Sequence, residues 1–309
     1  MKLVLLSDVH WTSEQPVARK DNAFETLQRK MDYVFSRAAE SNASILQAGD
    51  LFNSPRHWGA MNSMIEFLSE WKNQGVQVYC IAGQHDTYLY QQEAKPTTAL
   101  GALERAGLVR MLNRELINQI PFGELGWSIR GVSYGQEIPR LEYRESGEVL
   151  VIHAMITDRP LWPGQEDYTD AGKFLDKYMD YDLILCGDAH RYFMIIGEDG
   201  RIICNTGPIL RREASEGMFE HHPGFFVYDT ETRDIVWEEI PHEPAEDVLS
   251  RKHIERKEER NEMLECFMGA MVEDVEMGVS FRENLEKFLG ENPAPDAVRR
   301  VLAEVMEEK

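Results

Sequence analysis

The chain has 309 residues, of which 43% are hydrophobic and 28% charged, a composition typical of a soluble globular protein with one large domain and an appendage, or two modest domains. Its formal net charge of −21 argues against a protein that holds nucleic acid unaided through a broad basic face, although metal ions or a partner could supply local positive charge. No apolar run is long enough to span a bilayer and we find no signal peptide, so we expect a cytoplasmic protein.

The first predicted element is a strand, because the apolar run 3–6 is short and leads into Asp8 and His10. The same arrangement recurs along the chain, where short apolar runs end in aspartate, histidine or amide side chains. These are 43–48 before Asp50, 76–82 before Gln84, His85 and Asp86, 149–152 before His153, and 183–186 before Asp188 and His190. Ligands of open α/β sheets bind outside the carboxyl ends of the strands. A single such residue is more often a turn or core residue, but the joint pattern indicates one metal site.

Helices are predicted between the early strands. Residues 20–40, 61–71 and 98–106 carry apolar side chains at helical spacing, and glycines follow the second and third of these segments. Such alternation of strands and helices favours right-handed crossovers and a parallel sheet. Later strands have short connections, as in an antiparallel or mixed sheet, and are predicted at 127–133, 201–205, 224–228 and 235–240. We therefore expect an α/β fold in which two packed sheets have helices outside, in the order αββα.

The composition changes near residues 241–244, and the chain beyond is rich in Glu, Lys, Arg and Met with helical periodicity. We predict one domain over residues 1–242 and a helical extension over 243–309. The apolar residues of the extension form two stripes, which are Met263, Leu264, Phe267, Met268, Met271 and Val272, and Val298, Val301, Leu302, Val305 and Met306. Either the rest of the chain or a partner must cover such a face. The four cysteines lack Cys-x-x-Cys spacing, which predicts buried, reduced thiols.

The polar strand endings match the motifs of a known family. Asp8-x-His10, Gly49-Asp50, Gly83-Gln84-His85-Asp86, His153 and Gly187-Asp188-Ala189-His190 resemble the five motifs of the calcineurin-like metallophosphoesterases, over residues 1 to 210. Further details are similar to the SbcD branch, the nuclease subunit of the SbcC–SbcD repair complex, including its bacteriophage versions. They are Ser7-Asp8-Val9-His10-Trp11, Gly49-Asp50-Leu51-Phe52-Asn53 and Asn205-Thr206-Gly207-Pro208 followed by Gly224-Phe225-Phe226. The resemblance implies a metallophosphoesterase domain over 1–242 and in-line hydrolysis supported by two divalent cations.

Each motif residue would have a role in such a site. Asp50 would bridge the two cations, since a carboxylate has two oxygens to divide between them. One cation would be completed by Asp8, His10 and His190, and the other by Gln84, His153 and Asp188. By resemblance, His85 would face the leaving oxygen as general acid or charge stabiliser. Asp86 would either orient His85 or cap the next helix.

Two positions depart from the family pattern, which has asparagine where this chain has Gln84 and histidine where it has Asp188. Glutamine is one methylene longer, so its carbonyl must retract by about 1.5 Å. Aspartate replaces a neutral nitrogen ligand with a charged oxygen at the same metal site. Because hard oxygen ligands favour Mn²⁺ or Mg²⁺ over Zn²⁺, we expect two divalent cations, Mn²⁺ first and Mg²⁺ as the alternative. A weakened second site with feeble catalysis is the rival interpretation.

Several basic residues in the loops after the motif strands are candidates for substrate binding through DNA phosphates. They are Arg56, His57, Arg191, Arg211 and Arg212, and each is alternatively an ordinary surface charge. The pair His221–His222 has the look of a metal-binding pair but lies outside the motifs, so we interpret it as part of a loop.

Together these features predict a metal-dependent phosphodiesterase that acts as an exonuclease and endonuclease on double-strand ends or hairpins of DNA. The resemblance implies an SbcC-like coiled-coil ATPase as partner, docked on the helical extension, and a homodimer. It implies no membrane contact, and the host cytoplasm as location if a phage encodes the chain. Two alternatives stay open, an enzyme acting on nucleotides or other small phosphoesters and a catalytically weak scaffold that recruits the ATPase.

Overall fold

The computed structural model describes residues 1–88, 97–114, 127–141, 147–162, 164–166 and 168–274, and the single residues 285, 289, 290, 298 and 300. The chain forms two compact units, Met1–Leu249 and Ser250–Lys309. By its contacts the chain therefore divides after Leu249. The segment 243–249 is tied to the first unit, where the Lys20 ammonium donates to the Glu246 carbonyl at 2.6 Å and Arg19 pairs with Leu249 in an isolated β-bridge.

The first unit alternates strands and helices up to α3, and its later part consists mainly of strands with three short helices between or after them. In chain order its elements are β1 (Lys2–Leu6), α1 (Ala23–Glu40), β2 (Ser44–Gln47), α2 (Trp58–Asn73), β3 (Val78–Cys80), a 3₁₀ turn (Gln84–Asp86), α3 (Ala99–Arg105), β4 (Arg110–Met111), β5 (Trp127–Val132), β6 (Gly147–His153), β7 (Ile156–Thr157), β8 (Thr169–Asp170), α4 (Ala171–Lys177), β9 (Leu183–Gly187), β10 (Tyr192–Ile196), β11 (Ile202–Thr206), α5 (Glu216–Glu220), β12 (Gly224–Asp229), β13 (Ile235–Glu239) and α6 (Ala245–Val248). The second unit begins with α7 (Lys252–Asp274).

Two main sheets carry this unit. The first has the order β13-β12-β1-β2-β3-β4 and the second the order β10-β11-β9-β6-β5, while β7 and β8 form a small pair. Strands β1 to β4 are parallel, as are β5, β6, β9 and β11. Among the described strands the antiparallel pairs are β1–β12, β12–β13 and β10–β11, so each main sheet is mixed, one of the two arrangements expected, with its antiparallel pairing on one side.

Alternate residues of the strands face opposite apolar layers, which is why the central strands read as continuous apolar runs. Leu3 and Leu5 of β1 belong to the core between the two sheets, whereas Val4 and Leu6 pack with α1 and α2. The outer face of the second sheet packs on α4 through Phe174 and its neighbours. Two sheets flanked by helices are the predicted αββα architecture, and that prediction is confirmed.

The remaining expectations on packing concern the thiols and the extension. Cys80, Cys186 and Cys204 are buried cysteines, while the side chain of Cys266 lies outside the described residues. Of the predicted apolar stripes, Met263 is 46% exposed and Leu264 half-buried. The side chains of Phe267, Met268, Met271 and Val272, and residues Val301, Leu302, Val305 and Met306, also lie outside the described part. Among the described helices, none combines the length and the apolar character that crossing a membrane requires.

Candidate metal centre

The loops that follow β1, β2, β3, β6 and β9 bring their polar residues to one place. Their backbone is unusual, because most of the non-glycine residues with positive φ in the described chain belong to this group. They are Asp8 (48°), His10 (48°), Asp50 (53°), Asp188 (86°) and His190 (41°). A non-glycine residue in this region costs of order 1–3 kcal/mol and persists only where its surroundings fix it. The fold therefore holds these five side chains at some cost in backbone strain.

Asp8, His10 and His190 form the first group of donors. His10 Nε2 lies 2.9 Å from His190 Nε2, and His190 Nε2 lies 3.7 Å from Asp8 Oδ1. Neighbouring ligands at about 2.1 Å from one cation lie about 3.0–3.4 Å apart, so these spacings suit a shared cation. Burial lowers the pKa of His10 well below its usual value, which keeps the ring neutral and its lone pair available.

Asp50 lies between the first group and a second one. Its Oδ1 accepts the backbone N–H of His85 at 2.8 Å. Its Oδ2 is buried and makes no hydrogen bond within the described residues, and it lies 3.8 Å from His10 Nε2 and 3.4 Å from His153 Nε2. We expected the two carboxylate oxygens of Asp50 to be divided between two cations. In the structure Oδ1 is hydrogen-bonded, and Oδ2 is the oxygen that faces both donor groups. Such a buried, unpaired carboxylate oxygen is costly without a compensating cation.

His153, Gln84 and Asp188 form the second group. His153 Nδ1 donates to the Ala48 carbonyl at 2.6 Å, which directs Nε2 towards Asp50 and towards Gln84 Oε1, 3.1 Å away. Gln84 Nε2 in turn donates to Asp188 Oδ1 at 2.6 Å. The two residues that depart from the family pattern are therefore in direct contact, and the longer glutamine reaches both of the other donors.

The charges around the two groups favour a cation. Burial raises the pKa of Asp8, although His190 and His153 oppose this effect. Burial also opposes ionisation of Asp50, but the nearby imidazole of His153, with those of His10 and His85, lowers its pKa. For His153 burial is outweighed by Asp50 and Asp8, which raise its pKa. The carboxylates that favour a proton on this imidazole would equally favour a divalent cation that replaces the proton.

The donors fit a divalent metal centre by their chemistry as well as by their spacing. Three carboxylates, one amide and three imidazoles are the oxygen and nitrogen ligands that such cations take in proteins. Asp8, His10 and His190 offer ligand atoms within 4.8 Å of one another, and so do Asp8, Asp50 and His153. All seven predicted metal ligands thus converge, from five separate stretches of the chain.

Glycines make this approach possible. A Cβ on Gly83 would lie 2.1 Å from Asp50 Oδ1, and a Cβ on Gly187 would lie 2.2 Å from the Ala48 carbonyl oxygen. At Gly49 the backbone has φ +87°, and a Cβ would lie 2.4 Å from His153 Nδ1. These three motifs need glycine because a neighbouring loop or ligand occupies the space that a side chain would fill.

His85 lies beside the first group, with its ring centre 5.0 Å from that of His10. Its Nδ1 is 3.1 Å from the backbone carbonyl of Asn53, which therefore orients the ring. Asp86 does not orient His85, and that prediction needs correction. Its carboxylate is buried and accepts the backbone N–H groups of Leu51, Phe52 and Gly83, so it joins the second and third motif loops. The alternative expectation, that Asp86 caps the next helix, is not met either, because Thr98 caps α3.

The predicted substrate-binding residues fall into different environments. Arg212 donates to Asn53 Oδ1, so one asparagine contacts both this guanidinium and His85. Arg56 is exposed and lies over the Tyr88 ring at 4.6 Å, while His57 contacts the Thr12 hydroxyl. Both belong to the loop that follows the second motif. The role of Asn53 could not be predicted from the sequence, because a polar residue after a strand does not indicate what its backbone carbonyl contacts.

Arg191 and Arg211 are already engaged with other parts of the protein. Arg191 pairs with Asp158 at 3.4 Å. Arg211 is only 3% exposed and donates to the Glu243 carbonyl, so its prediction as a phosphate ligand is wrong in this conformation. A buried guanidinium that satisfies a backbone carbonyl serves the protein interior.

The two consecutive histidines of the sequence also separate. His221 is buried and its Nε2 lies 2.7 Å from the Pro208 carbonyl, whereas the exposed His222 lies 3.3 Å from Glu239 Oε1. They therefore do not act as a pair, and neither belongs to the metal centre.

Comparisons with known proteins agree with this geometry. The calcineurin-like phosphoesterase family matches residues 1–192. Among solved structures, a dimetal phosphatase from Danio rerio has a TM-score of 0.50 and 10% identity, covering 79% of this chain and 97% of that chain. The protein TT1561 of Thermus thermophilus has a TM-score of 0.46 and 11% identity, covering 78% of this chain and 99% of that chain.

An archaeal phosphodiesterase has a TM-score of 0.40 and 14% identity, covering 78% of this chain and 100% of that chain. No curated protein matches the sequence. At 10% identity the likeness to the Danio rerio protein concerns the fold alone, whereas the family match spans more than half of the 309 residues. The chain belongs to the calcineurin-like phosphoesterases, hydrolases that act with divalent metal ions.

Proposed function

We propose that the chain is a phosphodiesterase that cleaves DNA as an exonuclease and endonuclease, and that it is the nuclease subunit of an SbcC–SbcD-like complex. The observation that carries the proposal is the link from His85 through Asn53 to Arg212, beside the metal donors. A phosphodiester held by the donor cluster would have an imidazole near its leaving oxygen. A guanidinium would lie near a non-bridging oxygen, where charge develops during hydrolysis.

Hydrolysis adds the oxygen of water to phosphorus and breaks the bond to the leaving oxygen, which then takes up a proton. When bound, the cations would lower the pKa of water and neutralise charge on the phosphate oxygens. His85 would protonate the leaving oxygen through Nε2, since Nδ1 is held by the Asn53 carbonyl. Arg212 would hold the non-bridging oxygens, because its position is fixed by Asn53.

The surroundings of the centre support a nucleic acid over a small phosphoester. Trp58 is 54% exposed and begins α2, directly after Arg56 and His57 in the loop of the second motif. An exposed indole offers a face on which a base can stack, and a neighbouring guanidinium suits a phosphate outside the reacting one. A phosphomonoester would leave these residues without a role. The similarity of the motifs to the SbcD branch points in the same direction.

We propose Mn²⁺ as the preferred cation, with Mg²⁺ as the alternative. Gln84 and Asp188 add oxygen donors to the group of His153, and their contact lets the two substitutions compensate each other. Oxygen ligands favour these harder cations over Zn²⁺. Metal-stripped protein reloaded with each cation would test this choice, and the highest activity with Zn²⁺ would refute it.

The test of function uses the full chain with Mn²⁺ on four substrates: linear duplex DNA, hairpin-ended duplex, a chromogenic phosphodiester and a chromogenic phosphomonoester. We expect degradation of the linear duplex, opening of the hairpin, and slow reaction of the small diester. Asp50→Asn and His85→Ala should each abolish DNA cleavage while circular dichroism and melting stay close to wild type. Rapid hydrolysis of the monoester with intact DNA would favour the small-substrate alternative. Complete inactivity on all four substrates with both cations, with or without an ATPase partner, would favour the scaffold.

We further propose that the helical extension, residues 243–309, docks an SbcC-like coiled-coil ATPase and that the nuclease is a homodimer. Residues 243–249 belong to the first compact unit, so a deletion that begins at Ser250 leaves that unit whole. Co-purification of the ATPase should be lost in this truncated chain. Light scattering of the full chain should give the mass of a dimer. An intact complex after the deletion would refute the docking proposal, and a monomeric mass would refute the dimer.

A further inference from the structure

A second group of metal-ligand side chains lies at the open end of the β12–β13 hairpin, opposite its turn. We call it the hairpin cluster, defined as His222, Glu239 and His242. Glu239 is the last residue of β13 and pairs with Gly224, the first of β12, so His222 precedes one strand and His242 follows the other. None of the three belongs to the motifs of the metallophosphoesterases.

The cluster has the spacing of a cation site. Its three ligand atoms lie within 4.8 Å of one another. His222 Nδ1 lies 3.3 Å from Glu239 Oε1, and two ligands at about 2.0–2.1 Å from a tetrahedral Zn²⁺ lie about 3.3 Å apart. The rings of His222 and His242 are nearly perpendicular, at 80°, with centres 5.5 Å apart. Two imidazoles can therefore approach one ion without stacking on each other.

The most buried member of the cluster turns its Nδ1 towards Glu239. His242 Nδ1 lies 3.6 Å from Glu239 Oε1 and donates to the Ile240 carbonyl at 2.8 Å. A cation bound through Nδ1 would replace the proton that this nitrogen donates, as metal binding to histidine requires a free lone pair. The side chain of His242 is 9% exposed, whereas those of His222 and Glu239 are 66% and 52% exposed and free to adjust.

The electrostatic surroundings act in both directions. Burial lowers the pKa of His242, and Arg211 and Lys30 lower it further, which keeps the imidazole neutral. Those two cationic side chains also oppose a divalent ion. Glu239 acts in the opposite sense on His242, and the chain as a whole has a net charge of −21. A carboxylate ligand therefore gives the site a negative charge that imidazole ligands do not supply.

We propose that the hairpin cluster is a second, non-catalytic metal site that binds one Zn²⁺ or a similar borderline cation through His222, Glu239 and His242. Water would complete a tetrahedral set of ligands. Two imidazoles and one carboxylate suit such cations better than the oxygen-rich donors of the catalytic centre do. The ion would fasten the turn before β12 to the segment that leads into α6. His221, next to His222, contacts the Pro208 carbonyl in the loop that carries Arg212, so the ion would also restrain that loop.

Equilibrium dialysis of the metal-stripped full chain against Zn²⁺, with saturating Mn²⁺ to occupy the catalytic centre, tests the proposal. Wild type should bind one zinc more than His222→Ala and one more than Glu239→Gln. The exchange of another histidine, His253→Ala in α7, provides the matched control and should leave the count unchanged. Zn²⁺ should also raise the melting temperature of wild type and of the control but not of His222→Ala, because only a folded site binds it.

An equal zinc count in wild type and His222→Ala would overturn the proposal and leave only an ion pair between His222 and Glu239. A melting temperature that rises equally in both proteins would have the same meaning. Mn²⁺-dependent phosphodiester cleavage by His222→Ala should stay within about 2-fold of wild type. The outcome for this cluster is therefore independent of the proposed nuclease function, which the substrate assays decide.

Discussion

Gly83→Ala is a small substitution that should disable the metal centre. The added methyl would lie 2.1 Å from Asp50 Oδ1 and 2.5 Å from the Asp50 backbone nitrogen. Ordinary van der Waals contacts of a Cβ begin near 3.4 Å, so one of the two loops must move by about 1 Å. A misplacement of that size at a reacting centre costs about 100-fold in rate. Asp50 supplies the oxygen that faces both donor groups, so we expect at least that loss in kcat.

The assay is cleavage of a phosphodiester by metal-stripped protein reloaded with Mn²⁺, with the metal content counted in parallel. Gly217→Ala is the matched control, because a Cβ at that position meets no atom within 4 Å. The control should keep its activity and its metal content. If Gly83→Ala kept wild-type kcat and bound its cations with unchanged affinity, the close packing of the loops around Asp50 would not be what positions its carboxylate.

Three further predictions concern two residues beside the centre and one buried lysine of α1. Asn53→Ala removes the side-chain partner of Arg212 but keeps the backbone carbonyl that contacts His85. We therefore expect kcat to fall by about 10-fold and KM to rise, while the acidic limb of the pH–rate profile stays unchanged. A shift of that limb would contradict the separation of the two contacts. Asp86→Asn presents an amide where three backbone N–H groups need an acceptor. The free energy of unfolding measured in urea should therefore fall by about 2–4 kcal/mol. A stability equal to wild type would refute the role of Asp86 in joining the loops. Burial lowers the pKa of Lys30 to about 7, so the unfolded chain binds more protons above that pH and stability should rise with pH up to about 10.5. Relative to Lys30→Met, wild type should gain about 3 kcal/mol between pH 7 and 9.5 in urea unfolding, and a difference that does not change with pH would contradict the assignment.

The sequence predicted the architecture because its signals are local and repeated. Helical spacing placed α1, α2 and α3 to within a few residues, and apolar runs placed the strands that carry the motifs. The pairing of the later strands was less accessible. The segment of β5 was predicted among strands of an antiparallel or mixed sheet and pairs in parallel with β6, since partners are chosen by long-range packing that periodicity does not record.

The predicted ligands also met at one place, because the carboxyl ends of β1, β2 and β3 in one sheet and of β6 and β9 in the other lie at the same site. What could not be predicted is how each side chain is supported. Asp86 and Arg211 are polar residues next to motifs, yet one accepts three backbone N–H groups and the other donates to a distant carbonyl. Charge and spacing give no information on whether a polar group faces the site or the interior. The same limit concealed Asn53, whose carbonyl is the group that orients His85.

The count of cations tests the central claim most directly. Calorimetric titration of the metal-stripped chain with Mn²⁺, in wild type and in Asp50→Asn, measures how many ions the converging donors hold. We predict two Mn²⁺ ions per wild-type chain at the catalytic centre and a loss of at least one of them in Asp50→Asn, since Asp50 Oδ2 faces both donor groups. A single Mn²⁺ per wild-type chain at millimolar concentration, or two ions bound with unchanged affinity in Asp50→Asn, would contradict the two-metal centre.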